Sequence, residues 1–139
     1  MSEPNYVQQL TERQQGFLPD HLGLEWVEAR PGFIRGRFDV KPHHLAPNTF
    51  LHAASVIALA DSACGYGCII SRPEGALNFT TIELKSNFLG TTREGGVSVE
   101  ANLTHGGRTT QVWDAVVKAE ATGKTIALFR CTQMILYPK

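Results

Sequence analysis

One carboxylate, Asp61, stands in the middle of FLHAASVIALADSACGYGCII, residues 50–70, a run otherwise built from apolar and small side chains with no Lys or Arg to pair it. An ionised carboxylate in such surroundings is costly unless hydrogen-bonded, so Asp61 is either satisfied locally or carries a raised pKa. A carboxylate perturbed in that way suits work as a general base or nucleophile. The structural alternatives are a bond to Ser62 or a backbone amide, or a place on a helix face that meets a second subunit.

The segment leading into this run, HLAPNTFLHAAS, adds a second feature. Pro47 disfavours helix before it, and Asn48 or Thr49 is suited to cap a helix that starts just afterwards. The N–H groups of His52, Ala53 and Ala54 would then face outward unpaired. With the helix dipole behind them they suit a carbonyl oxygen that gains negative charge, as in acyl transfer. Asp61 follows Ala53 by eight residues, just over two turns down nearly the same face. One helix would thus offer a carbonyl-polarising end and a carboxylate along one groove. His52 could serve as a base, but no Ser or Cys nucleophile motif surrounds it, so orientation or capping is its expected part.

The remaining reactive residues form no constellation. His43 and His44 are adjacent in a loop and read as surface residues rather than ligands, and His21 and His105 stand alone. Cys64 and Cys68 are four apart, with Cys131 distant, which is not the C-x-x-C spacing of zinc or redox sites; they read as small buried thiols. LTHGGRTTQV lacks the phosphate-loop pattern and reads as a hairpin turn. Arg108, with Lys85 and Arg93, could contact the phosphates of a nucleotide-bearing substrate, the alternative being solvated surface charge. Tyr66, Phe79, Phe88 and Trp113 could line an acyl pocket or fill the core.

The elements that must position these residues follow from periodicity. PNYVQQLTERQQGFL predicts a short helix, capped from Ser2 and Pro4 and ended at Gly16 before Pro19. Arg30-Pro31-Gly32 divides two strand-like stretches into a hairpin. After the apolar run, four stretches alternate in character; Val97, Val99, Ala101 and Leu103, for example, alternate with Ser98, Glu100, Asn102 and Thr104. The layout is α+β: a single antiparallel sheet covering one long hydrophobic helix. Exposed edges of such a sheet are commonly covered by self-association, so at least a dimer is expected.

Composition bounds the function classes. The chain has 139 residues, 42% hydrophobic and 19% charged, which fits one globular domain over 1–139. Thirteen basic and thirteen acidic residues give a formal net charge of zero, so no global field draws nucleic acid or anionic lipid. MSEPNYVQQLTERQQG has neither a basic n-region nor an apolar h-region, which makes a cytoplasmic location the expectation. Asp61 at the centre of the apolar run argues against membrane insertion.

From about Leu22 to Tyr137 the sequence resembles the hotdog-fold acyl-CoA thioesterases of the phenylacetate-pathway and 4-hydroxybenzoyl-CoA type. LHAASVIALADSACGYG is similar to the family's H-G-G-x-x-x-x-L-A-D helix, TTIELKSNFLG to its T/S-x-D/E-L-x-x-x-F-L strand, and GRTTQVWDAVV followed by TGKTIALFRCTQ to its closing strands. The resemblance implies Asp61 as catalytic nucleophile or general base and the N–H of residue 53 as polariser of the thioester carbonyl. It places Thr81, with Thr80 as the weaker alternative, where relatives help position water, and implies a site between subunits of a homodimer or homotetramer. No metal or cofactor is implied beyond the coenzyme A of the substrate, and an aromatic acyl group is suggested, while the residues alone equally allow a medium-chain one. Two departures stand out. The family's Gly-Gly is Ala53-Ala54, which keeps the N–H groups but adds methyls where substrate approaches. The family's Asn or Gln position falls on Ala46, with Asn48 two residues late. Tyr66, Phe79, Thr80 and Ala54 are the expected acyl contacts, and Lys85 and Arg108 the expected coenzyme A contacts. The rival readings are a non-catalytic acyl-CoA-binding module and a hotdog hydratase, which would use His52 with Asp61.

Overall fold

The computed structural model describes residues 4–139. In chain order it contains α1 (Tyr6–Arg13), α2 (Leu18–His21), β1 (Glu25–Arg30), β2 (Phe33–Asp39), a 3-10 turn (Pro42–His44), α3 (Ala53–Ile70), β3 (Asn78–Phe88), β4 (Gly96–Gly106), β5 (Thr110–Ala119) and β6 (Thr125–Leu136). The strands form one six-stranded sheet in the order β1-β2-β4-β5-β6-β3. Every neighbouring pair is antiparallel. The α+β arrangement expected from periodicity is therefore present.

The alternation that predicts the strands also sorts their side chains. Val97, Val99 and Ala101 of β4 and Trp113, Ala115 and Val117 of β5 are buried on one face, and α3 lies across that face in contact with all six strands. Close approach of helix and sheet depends on Gly67: a methyl there would run into the indole of Trp113. Trp113 is thus core rather than pocket, its Nε1–H donating to Gln111 Oε1 at 2.8 Å.

The sheet covers only one side of α3. Its opposite stripe, Ala54, Ile57, Ala58, Asp61, Ser62 and Tyr66, stays exposed or half-buried. Ala53–Ile70 is long and apolar enough to cross a membrane, but here it is the helix on which the core is built.

Three local expectations change. The first helix is capped by Asn5, whose Oδ1 accepts from Gln8 N–H at 3.0 Å; Ser2 lies outside the described residues. Pro19 does not simply end helical structure but sits in the first turn of α2, where its missing N–H costs nothing. His44 is buried, not on the surface. Its Nδ1 accepts from Lys41 N–H at 2.9 Å, which puts the proton of the neutral ring on Nε2, 2.7 Å from the Leu22 carbonyl. Burial foremost holds its pKa below the ordinary value.

Candidate functional site

The start of α3 is built from its own sequence. His52 is the N-cap, with extended backbone (φ −66°, ψ 135°) and Nδ1 accepting from Ala54 N–H at 2.8 Å. The His52 N–H donates to the His44 carbonyl at 3.0 Å, and the His52 carbonyl accepts from Ser55 and Val56 N–H at 2.9 and 3.3 Å. Ser55 Oγ–H also donates to the His44 carbonyl, at 2.8 Å. His44, expected at the surface, therefore anchors this end of the helix from a loop.

These bonds leave one free donor. Among the described residues the Ala53 N–H has no partner within the chain, whereas those of His52 and Ala54 are both occupied. The outward row of three donors expected here is thus reduced to the Ala53 N–H at the positive end of the helix. The cap is His52 rather than Asn48 or Thr49. Asn48 Oδ1 instead accepts from Phe50 N–H at 3.1 Å and closes its own loop, where Thr49 takes a positive φ of 71°. With Nδ1 occupied, the neutral His52 ring carries its proton on Nε2 and has no lone pair free to act as a base.

Asp61 lies on the stripe of α3 that the sheet leaves open. Its Oδ1 is buried without a hydrogen-bond partner, and burial pushes its pKa above the ordinary carboxylate value. The local partners considered for it, Ser62 and a backbone amide, do not satisfy that oxygen. Asp61 borders a cleft of about 240 Å³ lined also by Arg13, Pro19, Ser62, Gly65, Tyr66, Ile69 and Phe79. Gly65 lets the Phe79 ring pack close against α3, since a Cβ there would sit 2.9 Å from Phe79 Cζ.

Tyr66 is held by a network that sequence reasoning missed. Its hydroxyl donates to Oε1 of buried Gln14 at 3.1 Å. The same oxygen accepts from Trp26 Nε1–H at 2.8 Å, and Gln14 Nε2–H donates to the Leu24 carbonyl at 2.8 Å. Burial raises the Tyr66 pKa, opposed by the charge of Arg13.

The helix start faces a different cleft, of about 290 Å³, lined by Leu18, Leu22, Leu45, His52, Ala54, Ala58 and neighbours. Eight residues of α-helix separate Ala53 from Asp61, a rise of about 12 Å. Within one chain, then, the donor and the carboxylate do not share one groove, which corrects the arrangement expected from helical spacing. His52 and Asp61 likewise border separate clefts, so the chain by itself offers no His–carboxylate pair of the kind a hydratase needs.

The residues of β3 divide by face. Phe79 points toward α3, and Thr81, two residues on, shares that face. The Thr81 hydroxyl donates to Oε1 of fully buried Gln133 at 2.7 Å, leaving its oxygen as an acceptor only. Thr80 pairs with exposed Met134 and faces the other side of the sheet, away from Asp61. Lys85 borders an outer-face cleft with Asn87, Asp114 and Arg130. Arg108, at the β4–β5 turn, stacks on Tyr137 at 5.0 Å. Lys85 and Arg108 are therefore not gathered at either cleft beside α3. Arg93 is better placed, its Nε–H donating at 3.3 Å to the carbonyl of Thr49, close before the helix start.

Cys64, Cys68 and Cys131 are all buried free thiols. Cys131 beside it, together with burial, raises the Cys64 thiol well above its ordinary pKa, and burial pushes Cys68 up to about 12, so neither supplies a thiolate nucleophile. Among the described residues no three His, Cys, Asp or Glu side chains come together as metal ligands.

Comparison with known proteins adds an independent finding. Residues 48–126 match the model of the thioesterase superfamily. A 1,4-dihydroxy-2-naphthoyl-CoA hydrolase of Listeria monocytogenes is 29% identical over 115 residues, which cover 83% of this chain and 92% of the relative. A mutant thioesterase from Pseudomonas aeruginosa superposes with a TM-score of 0.89 at 25% identity, covering 97% of this chain and 96% of that one. A thioesterase family protein from Silicibacter pomeroyi gives 0.84 at 28% identity, covering 96% and 100%.

Proposed function

Because the chain belongs to the thioesterase superfamily and has its hotdog fold, we propose that it hydrolyses an acyl-CoA thioester to the free acid and coenzyme A, with Asp61 as the reacting carboxylate. The observation that carries this reading is the buried, unpaired Oδ1 of Asp61 beside an apolar cleft. Such an oxygen is a poor structural element and a good proton acceptor or nucleophile.

The thioester carbonyl oxygen accepts from the Ala53 N–H at the head of α3, which stabilises the negative charge that builds there. Asp61 takes the proton of an attacking water, or itself adds to the carbonyl carbon to form an anhydride that water then opens. In either case the C–S bond breaks and the thiolate leaves as coenzyme A. Thr81, an acceptor once its proton is committed to Gln133, fits a water positioned by its hydrogens. Arg93 is the cation we assign to the coenzyme A phosphates.

A single carbonyl cannot touch two groups about 12 Å apart along one helix, so the working site combines Ala53 of one copy with Asp61 of another in a homodimer or a larger homo-oligomer. The open stripe of α3 and the edge strand β3, which exposes Ile82 and Leu84, are the surfaces we assign to that contact.

The test is thiol release from a panel of aryl- and alkyl-CoA thioesters by wild type and Asp61→Asn, both checked for folding. Turnover by the wild type that falls by about 10²–10⁴ in the variant is expected for loss of a general base. Wild type inert toward every thioester would sink the proposal. A single turnover in labelled water separates the two routes, since label enters the Asp61 carboxylate only when the anhydride forms.

A further inference from the structure

The cleft beside Asp61 contains a second charged side chain that the reaction itself does not need. Arg13, the last residue of α1, borders the cleft together with Pro19, Tyr66 and Ile69. Among the described residues its side chain takes part in no salt bridge and no hydrogen bond, although Arg30, Arg35, Arg37 and Arg130 each pair with a carboxylate. The nearby acid Asp20 spends its Oδ2 on the Gly16 N–H at 3.0 Å. Asp61 is not its partner either: its Oδ1 is buried without a hydrogen bond, and no salt bridge joins the two side chains.

Arg13 is exposed at the rim of the cleft, and the backbone that carries it is anchored at the next residue. The next residue, Gln14, is buried and fixed by three hydrogen bonds, to Trp26, Tyr66 and Leu24. The same network commits the Tyr66 hydroxyl proton to Gln14, which leaves the guanidinium as the one charged side-chain donor bordering the cleft. Apart from Ser62, next to Asp61, the rest of the lining is apolar: Pro19, Gly65, Ile69, Phe79 and the ring of Tyr66. Tyr66 follows Asp61 by five residues, a rise of about 7.5 Å, roughly the length of one substituted ring. At about 240 Å³ the cleft is smaller than the roughly 300 Å³ at which sites for drug-sized ligands begin, so it fits an acyl group and not the nucleotide end of coenzyme A.

We propose that Arg13 is a specificity-determining residue, and that the cleft takes an acyl group bearing a second carboxylate about one ring length from the thioester carbonyl: the monothioester of a dicarboxylic acid. The inference rests on the reading that the thioester is cleaved beside Asp61. The planar guanidinium meets the distal carboxylate in a bidentate pair, the apolar walls hold the spacer, and the thioester carbon lies at Asp61. The charge on the substrate thus orients it end-on, with the two carboxylates, substrate's and enzyme's, at opposite ends of the cleft.

The test compares benzoyl-CoA with 4-carboxybenzoyl-CoA for wild type, Arg13→Gln and Arg13→Lys, reading the ratio of the two kcat/KM values. A wild-type preference of roughly tenfold for the carboxylated substrate is expected, the size of a charge-assisted hydrogen bond at a partly exposed site. That ratio should fall to near one in Arg13→Gln and recover in part in Arg13→Lys. A wild type without the preference, or an Arg13→Gln variant that keeps the ratio while losing rate on both substrates, overturns the proposal; the second result would assign Arg13 to coenzyme A. If neither thioester is turned over, the catalytic reading fails on its own. The inference is then judged by calorimetric binding of terephthalate against benzoate: a carboxylate-dependent gain lost in Arg13→Gln supports it, and equal binding of the two acids overturns it.

Discussion

At the scale of single residues, the reactivity proposed for Asp61 comes at a cost in stability. The fold holds its pKa above the unfolded value through burial. The neutral acid therefore contributes stability at low pH, and this is lost as pH rises past the ordinary carboxylate range near 4. At neutral pH Asp61→Asn should unfold at higher urea, by on the order of 1 kcal/mol, because it removes a desolvated charge with no partner. A variant less stable than wild type would mean that the carboxylate is satisfied in the folded protein. If Asp61 is the base we propose, the same shift sets the acidic limb of activity: kcat/KM should rise with pH through a midpoint above about 3.9, the unperturbed Asp value, and a midpoint at that value would contradict the buried base. Asp61 is legible in the sequence because one acid in an apolar run has no local explanation. Gln14, His44 and Gln133 are not, because their parts are set by partners distant in sequence. Gln14 meets Tyr66 52 residues away, and His44 binds Leu22 22 residues away.

At the scale of elements, legibility tracks how far local rules decide the outcome. The period-two pattern of β4 and β5 and the long apolar run of α3 show directly in the sequence, since each side chain's face follows from its place in the repeat. The start of α3 does not: Asn48, Thr49 and His52 can each cap, and the choice of His52 depends on the His44 carbonyl that holds its N–H. The break in register between Thr81 and Glu83 is equally hidden; it leaves Ile82 exposed while keeping Thr81 on Gln133. Helix and sheet meet at a glycine, which yields a prediction at this scale. Gly67→Ala places a methyl against the fully buried Trp113 ring. Urea unfolding should show a loss of about 1–3 kcal/mol, as overpacking of a tight core costs. An unchanged midpoint would mean that α3 can lift from the sheet without penalty.

At the scale of the whole molecule, the decisive distance is the rise of about 12 Å between Ala53 and Asp61 along one helix. On the proposed mechanism it puts both groups out of reach of a single carbonyl within one chain and calls for a second copy, so two differently damaged copies should repair each other. Ala53→Pro removes the free N–H at the first position of α3, where proline fits a helix without strain. Asp61→Asn removes the carboxylate. Each homo-oligomer lacks one half of every site and should be inactive. In a mixed dimer of the two variants, one site inherits both defects and the other inherits neither. Random re-assortment of equal amounts gives half mixed dimers, each with one working site of two, and so about a quarter of the wild-type rate of thiol release. If the reacting groups instead came from one chain, every site in the mixture would lack either the donor or the carboxylate, and mixing would restore nothing. Native mass spectrometry of the mixture serves as the control for exchange, since the mixed dimer differs in mass from both parent dimers and is absent when chains cannot re-assort. Recovery of activity in the mixture of two inactive proteins would place Ala53 and Asp61 on opposite sides of a subunit contact.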